Sequence, residues 1–346
     1  MPVELVFSYG RVDAFPFLVV RIRAGGKEGL GEVLIPPNKF LERFLPSLIG
    51  ADARGLDTLL PATDNDHDRI LCEAVSMALF DLVGRLSGLP LHVLLGGAEE
   101  TRVPLMPCIF PDTADEAKTK AERFFSQGYR FLKTKLVGDP NEDLARILAI
   151  RSVAPAGLVL QGDANCGYTT LESARRAVEE LGRAGLDVFE DPLEGGVGDY
   201  YALRNALNGS GAKVMVDALS RRTDDLVAIL RIGAADVVGV HPNQPGSLSR
   251  VLNHVRMTQA FGVPVVIGGT GYTGIGSAAY QHLTAVATPG RPCGELGGFF
   301  DHGMPKNLAR QPLVMMNGYI ELPDTPGMGI ELDEEVLAEF QEGQSE

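Results

Sequence analysis

The stretch "FLKTKL", residues 131–136, places two lysines two positions apart inside an apolar run. Side chains at positions i and i+2 of a β-strand leave on the same face, so Phe131, Lys133 and Lys135 would share one face. On an exposed edge strand, such lysines would discourage aggregation. Whether they lie inside the protein instead depends on the sheet to which this strand belongs.

Similar apolar, β-branched runs recur along the chain at a steady interval, and amphipathic helical segments separate them. The runs occupy residues 103–110, 131–136, 158–164, 188–193, 213–218, 236–241, 264–269 and 292–297. Strands that alternate with helices indicate βαβ units and a parallel sheet, and eight such units predict a closed (β/α)8 barrel. The glycine-rich stretch "GGTGYTGIG" follows the seventh run rather than the first, so it is a weak dinucleotide signature.

The first 100 residues predict a different architecture. The stretches "LVFSYG", "FPFLVVRIRAG" and "GLGEVLI" indicate three antiparallel strands, and a helix follows over residues 67–88, with Leu71, Met77 and Leu86 along one apolar stripe. We therefore expect an α+β capping domain at residues 1–100 and the barrel at 101–318. A C-terminal segment at 319–346 is expected to return to the capping domain.

Composition limits the class of partner. The formal net charge is −14, which argues against nucleic acid and anionic membranes as partners. The N-terminus has no signal-peptide pattern, and no apolar run is long enough to span a bilayer. The four cysteines have no paired metal-ligand spacing, which predicts reduced thiols in a cytoplasmic protein. We expect a homo-oligomer that acts on a small molecule.

Acidic residues recur where consecutive strands end. Asp163, Glu190 and Asp217 follow Lys135 at steps of 28, 27 and 27 residues, about one strand–helix unit each. The catalytic groups of a barrel lie at the carboxyl ends of its strands. Three unpaired carboxylates at close range would repel one another, and a hard divalent cation with oxygen ligands, Mg²⁺, would remove that repulsion. Each acid alone would be interpreted as a helix cap or an arginine partner, but the even spacing beside two lysines favours the metal site.

The lysines fit the chemistry of such a site. A cation that binds a substrate carboxylate stabilises the ene-diolate that forms when the α-proton leaves. Lys135, nearer the barrel mouth, is the better candidate for the base that takes this proton. Lys133, deeper in the strand, would lower the pKa of Lys135 through its charge and would contact the carboxylate.

The motifs "KTK", "DAN", "FEDP" and "VMVD", in this order, resemble the enolase superfamily, and within it the mandelate racemase and muconate-lactonizing group. The resemblance covers nearly the whole chain. It implies Mg²⁺-dependent abstraction of a proton α to a carboxylate, with the three acids as metal ligands and Lys135 as the acid/base on one face of the substrate. By the same resemblance, Asn165 and Asp191 support the ligands.

The chain also departs from the pattern of that group. Ala218 stands where muconate-type members usually carry Glu, and His241 stands where they usually carry a second catalytic lysine. His241 is either a second base, opposite Lys135, or a structural histidine bonded to a loop carbonyl. The residues that would contact the substrate are Tyr9, Arg11, Tyr272 and Glu295.

The function expected from these residues is that of a Mg²⁺-dependent isomerase acting on a small carboxylic acid. Racemisation, epimerisation and cycloisomerisation are the leading reactions. A dehydratase remains an alternative, because one base and a metal suffice for a syn elimination. A Schiff-base aldolase that uses a barrel lysine, or a barrel that only binds its ligand, is a further alternative.

Overall fold

A computed structural model describes residues 2–7, 10–14, 16–110, 113–207, 212–241, 245–268, 272–294 and 307–342. The strands are β1 (Pro2–Phe7), β2 (Gly10–Ala14), β3 (Leu18–Ala24), β4 (Lys27–Val33), β5 (Arg102–Met106), β6 (Cys108–Ile109), β7 (Phe131–Lys135), β8 (Val159–Asp163), β9 (Val188–Glu190), β10 (Lys213–Val216), β11 (Val237–Val240), β12 (Val265–Ile267), β13 (Cys293–Gly294), β14 (Met315–Met316) and β15 (Tyr319–Glu321). The helices are α1 (Lys39–Phe44), α2 (Asp66–Ser87), α3 (Leu91–Leu94), α4 (Ala114–Ser126), α5 (Pro140–Ser152), α6 (Leu171–Arg183), α7 (Val197–Ala206), α8 (Thr223–Ile232), α9 (Leu248–Ala260), α10 (Gly274–Ala287) and α11 (Glu334–Glu342). None of the helices described is long and apolar enough to cross a membrane.

Eight parallel strands form a closed barrel. β5 and β6 are two halves of one barrel strand, separated only by Pro107. β6 pairs with β7, and the pairing continues in chain order through β13, which pairs with β5 and so closes the ring. Every one of the eight predicted runs contains a strand, and the predicted (β/α)8 barrel is confirmed.

The interior of the barrel shows which strand positions point inward. Met106, Val188, Met215, Val237 and Val266 form a separate buried cluster, against which Phe131 packs. Because side chains alternate along a strand, the positions two and four residues beyond these also point inward. Leu132 and Leu136 take the opposite face and join the large core beneath the helices.

The N-terminal region forms a cap beside the barrel. It contains two antiparallel hairpins, β1–β2 and β3–β4, so the prediction of three strands missed one. Helix α2 lies directly on β4, because a Cβ atom at Gly29 or Gly31 would come within 2.1 Å or 1.9 Å of a backbone oxygen of the helix. Leu86, which was placed on the buried stripe, is 44% exposed near the end of α2.

The C-terminal segment returns to the cap. The hairpin β14–β15 first extends the sheet antiparallel to β5. Further along, the Gly327 carbonyl accepts a hydrogen bond from the backbone N–H of Leu91 at 2.8 Å. The backbone N–H of Met328 donates to the buried carboxylate of Asp81 at 2.8 Å. These contacts hold the chain at Gly327 and Met328 against α2 and α3.

Candidate active site

The register of β7, β8 and β9 brings the predicted lysines and acids together. Lys135 lies opposite Asp163, and Asp163 lies opposite Glu190. Phe131 packs on the interior cluster, so Lys133 and Lys135 also point into the barrel. Both lysines are almost fully buried, at 3% and 4% exposure. The edge-strand interpretation of these lysines is therefore wrong.

Within the barrel, the lysines and acids form one ionic network. The Lys135 ammonium lies 2.6 Å from Oδ2 of Asp163, and the Lys133 ammonium lies 2.9 Å from the same oxygen. Lys133 also lies 2.7 Å from Oε2 of Glu190, so it bridges the two acids. Buried charges persist when they are paired and hydrogen-bonded, as here.

The protonation of the two acids is pulled in opposite directions. Burial raises the pKa of Asp163, but the neighbouring charges of Lys133 and Lys135 outweigh it and hold that pKa well below its ordinary value. Burial raises the pKa of Glu190 well above its ordinary value, and the charges of Asp163 and Asp217 add to the rise. Burial and the neighbouring acids therefore favour the protonated form of Glu190.

Two loop residues hold the acids in place. Asn165 has a φ of +43° and donates its backbone N–H to Oδ1 of Asp163 at 2.8 Å. Asp191 has a φ of +41°, and its carboxylate accepts the backbone N–H groups of Asp217 and Ala218, each at 2.9 Å. Burial, then the charges of Asp217 and Asp163, raise the pKa of Asp191 to about 7. Asn165 thus contacts the predicted ligand Asp163, and Asp191 contacts the backbone of the predicted ligand Asp217.

His241 lies across the barrel from the lysines. It follows β11, and β7 and β11 are four strands apart in a ring of eight. Its Nε2 lies 3.4 Å from Oδ1 of Asp217, and the side chains of both residues are 13% exposed. The ring lies over Gly268 at the end of β12, where an added Cβ would come within 2.2 Å of Nε2. His241 therefore reaches the same cluster of acids from the side opposite Lys135.

Of the predicted substrate residues, Tyr272 is not brought to this cluster. Tyr272 is 1% exposed and donates its hydroxyl to Oε1 of Glu73 in the cap at 2.8 Å, so it lies in the interface between cap and barrel. Arg11, expected in a turn, lies in β2 opposite Val6. Tyr9 and Glu295 lie outside the described residues.

Two residues of the cluster were missed from the sequence. Gln161 is 3% exposed, points inward two positions before Asp163, and donates a hydrogen bond to Oε2 of Glu190. Its parity with Asp163 on a predicted strand was the signal that could have found it. For Gly268 the sequence signal was weaker, since it was only a glycine at the end of a strand. The tertiary contact shows that His241 occupies the space beside it.

The oxygen atoms offered by the three predicted ligands are of the kind that a hard divalent cation prefers. They are carboxylate oxygens from Asp163, Glu190 and Asp217, at the ends of three adjacent strands, as Mg²⁺ prefers. The described side chains do not, however, include three metal-ligating groups already close enough to hold one ion in common. Lys133 contacts Oδ2 of Asp163 and Oε2 of Glu190, so one oxygen of each acid is already paired with an ammonium group.

Comparison with known proteins identifies the family. A model described as enolase C-terminal domain-like matches residues 116–336, and the N-terminal domain of mandelate racemase / muconate lactonizing enzyme matches residues 2–96. The chain therefore belongs to the mandelate racemase and muconate lactonizing enzyme group of the enolase superfamily, and it is an enzyme of that superfamily. Enzymes of this group are generally Mg²⁺-dependent.

Relatives within the group have different named reactions. Muconate cycloisomerase 1 of Rhodococcus opacus is 29% identical, over 94% of this chain and 91% of the relative. Cis-3-hydroxy-L-proline dehydratase of Roseibium aggregatum is 29% identical, over 86% of this chain and 80% of the relative. The crystal structure of muconate lactonizing enzyme from Pseudomonas fluorescens, complexed with muconolactone, has a TM-score of 0.88 at 24% identity and covers 98% of this chain and 96% of that one. Other relatives are named as racemases or epimerases.

Proposed function

We propose that the protein is a Mg²⁺-dependent isomerase that removes the proton α to the carboxylate of a small acid, with racemisation or epimerisation as the leading reaction and cycloisomerisation as its variant. The observation that carries this proposal is the pair of buried, inward lysines, in contact with Asp163 and Glu190 at the carboxyl ends of adjacent strands. Burying two ammonium groups and the carboxyl groups of Asp163 and Glu190 in a barrel mouth is unfavourable for stability, so a catalytic use explains their presence.

The acids and the lysines have separate roles in this proposal. Asp163, Glu190 and Asp217 would hold the cation, which supplies Lewis-acid stabilisation of the charge that develops on the substrate carboxylate. Lys135 would take the α-proton from one face of the substrate. Lys133, beside it, keeps a second positive charge in the cavity, which attracts the substrate carboxylate.

His241 would act on the other face. Its strand lies four places from the strand of Lys135 in a ring of eight, which is the geometry that a two-base racemase requires. A neutral imidazole is a competent base near neutral pH. Asp217, 3.4 Å from Nε2, would orient the ring.

One observation favours a second candidate, a dehydratase. If His241 only holds Asp217 in place, Lys135 is the single base, and a syn elimination from a hydroxy acid needs no more than that. One relative is named as a dehydratase. In that case, proton exchange would occur from one enantiomer only.

The deciding experiment is solvent deuterium exchange. Amino acids, acylated amino acids, dipeptides, hydroxy acids and sugar acids would be incubated with the Mg²⁺-loaded protein in D₂O, and the α-deuterium of each enantiomer would be followed by NMR. We expect His241→Asn to abolish exchange from one enantiomer and Lys135→Ala to abolish it from the other, by at least ~10²-fold each. His67→Asn and Lys27→Ala serve as controls outside the barrel.

The alternatives have distinct outcomes in the same experiment. A wild type that exchanges only one enantiomer would reject the two-base reaction and favour elimination, which a product assay would reveal. Borohydride trapping of a lysine with a ketoacid would indicate a Schiff-base aldolase. Absence of exchange with every acid, despite Mg²⁺ binding, would indicate a barrel that only binds its ligand.

We also infer the domain limits, assembly and location. The division at residues 1–100, 101–318 and 319–346 is supported by the contacts of the C-terminal segment with α2 and α3. A homo-oligomer remains a prediction, which sedimentation would test. A cytoplasmic location is supported by Cys72, Cys108, Cys166 and Cys293, which are free thiols.

A further inference from the structure

A second cavity lies outside the barrel interior, at the seam between the cap and the barrel. Its volume is about 610 Å³, and it lies between the start of α2 and the first turns of α8 and α9. None of the lysines or acids of the candidate active site lines it. A cavity of this size is within the range of small-molecule sites.

The lining of this cavity is unusually basic for an acidic chain. It includes four arginines, against the two carboxylates of Asp64 and Asp224, while the whole chain has a formal net charge of −14. The four are Arg69, Arg221, Arg222 and Arg250. Such a local excess of positive charge concentrates anions from solution.

The arginines differ in how far their charges are already neutralised. Arg69 pairs with Asp66 and donates to the carbonyl of Asp64, and Arg222 lies 3.7 Å from the Asp64 carboxylate. Arg221 and Arg250 make no ion pair with any described residue within 4.0 Å. Two guanidinium groups in one cavity therefore lack a carboxylate, and their forked donors match phosphate oxygens.

The start of α8 borders the same cavity, and its first turn carries the acidic Asp224 and Asp225 beside the backbone donors. Arg222 is its N-cap and provides no side-chain bond to the first backbone N–H groups of the helix. Free N–H groups at a helix start favour an anion when basic side chains lie beside them. Thr223 is held in place there by the buried His254, whose Nε2 lies 3.0 Å from the threonine hydroxyl.

We propose that this cavity binds a dianionic phosphate, either free or as the monoester of a small molecule, with Arg221 and Arg250 as its main ligands. This cavity is separate from the candidate active site, but part of its lining follows the same two barrel strands, β10 and β11. Arg221 follows Asp217 by four residues, and Pro245, also in the lining, follows His241 by four. A bound phosphate would connect the cap to the loops after the fifth and sixth barrel strands.

Calorimetry with inorganic phosphate and with glycerol phosphate, against chloride at equal ionic strength, tests the proposal without any need for catalytic activity. We expect a saturable phosphate-specific binding event that the double variant Arg221→Gln, Arg250→Gln weakens by about tenfold or more, as expected for loss of charge-assisted hydrogen bonds. Tighter binding of glycerol phosphate would indicate an ester as the natural ligand, and equal binding would indicate free phosphate.

Two single variants complete the test. Arg291→Gln makes a single charge change near the opposite end of the barrel, and it should leave phosphate binding unchanged. Lys135→Ala should also leave it unchanged, because that residue is not in the cavity. Loss of binding in Lys135→Ala would place the phosphate in the catalytic cavity and overturn the proposal, as would equal affinities for phosphate in wild type and in the double variant.

Discussion

Replacing Glu73 by glutamine should change how the stability of the protein depends on pH. Glu73 lies on α2 and is fully buried, and its Oε1 accepts hydrogen bonds from Tyr272 at 2.8 Å and Tyr280 at 3.1 Å, both in the barrel. Its Oε2 has no hydrogen-bond partner among the residues that the structure describes. Glutamine keeps a carbonyl oxygen for both tyrosines and cannot ionise.

The magnitude follows from the protonation of Glu73. Burial, only partly offset by the hydroxyl groups of Tyr272 and Tyr280, raises its pKa from 4.5 to about 8. Because the folded pKa is above the unfolded one, the wild type loses stability as pH rises from 4.5 through 8. At 1.36 kcal/mol per pH unit, the glutamine variant should gain about 3 kcal/mol relative to wild type between pH 5 and pH 8.

The assay is urea unfolding of wild type, Glu73→Gln and a control, Glu42→Gln, at pH 5, 6, 7 and 8. The quantity of interest is the change with pH in the difference between the unfolding free energies of variant and wild type. Any effect of the amide that does not depend on pH cancels in it. Burial also raises the pKa of Glu32 to about 7, but Glu32 is present in all three proteins, so its titration largely cancels. The control, at an exposed position of α1, should run parallel to wild type.

Parallel pH profiles for wild type and Glu73→Gln would refute the reasoning. That result would mean that Glu73 titrates in the folded protein near its ordinary value, and that the interface between cap and barrel admits water. A gain for the variant that is largest at pH 5 would contradict the sign of the argument.

Three further changes test other contacts. Gly268→Ala should push the His241 ring away, since the added Cβ would lie 2.2 Å from Nε2. Deuterium exchange that depends on His241 should then fall by about 10²-fold, while circular dichroism should show that the fold is retained. Asp191→Ala should lower the free energy of unfolding by about 2–4 kcal/mol in urea titration, because the backbone N–H of Asp217 and that of the next residue lose their acceptor. Glu32→Ala should destabilise the start of α10 by a similar amount, about 2–4 kcal/mol, because the Glu32 carboxylate accepts the backbone N–H groups of Thr273 and Gly276 and the Thr273 hydroxyl. Hydrogen exchange in the first turn of α10 should become faster, and unchanged exchange there would contradict this role.

Much of the site could be predicted because its members lie on strands that are consecutive in the chain. A residue's position in an alternating strand decides its face, and a parallel βαβ unit places the next strand beside it. Those two rules place Lys133, Lys135, Asp163 and Glu190 on one inner wall without further information. The contact distances of their network agree with that placement.

Contacts between elements distant in the chain could not be predicted in the same way. Tyr272 was assigned to the substrate because it is the nearest counterpart of a Glu that is common in the related group after the seventh strand. Its hydroxyl instead bonds to Glu73, 199 residues away. Nothing in the local pattern of either residue specifies the other. The exposure of Leu86 was missed for the same reason, because helical periodicity does not show where the packing partner ends.

The sequence by itself determined the barrel, the cap, the face of each strand residue and the strand ends at which acids and lysines meet. These follow from periodicity and chain order, which are local properties of the polypeptide. Only the tertiary structure decided that Lys133 lies between Asp163 and Glu190, that Gly268 makes room for His241, and that four arginines from three helical regions line one cavity. Those relations depend on how side chains from separate elements fill shared space, and close packing makes that a property of the whole fold.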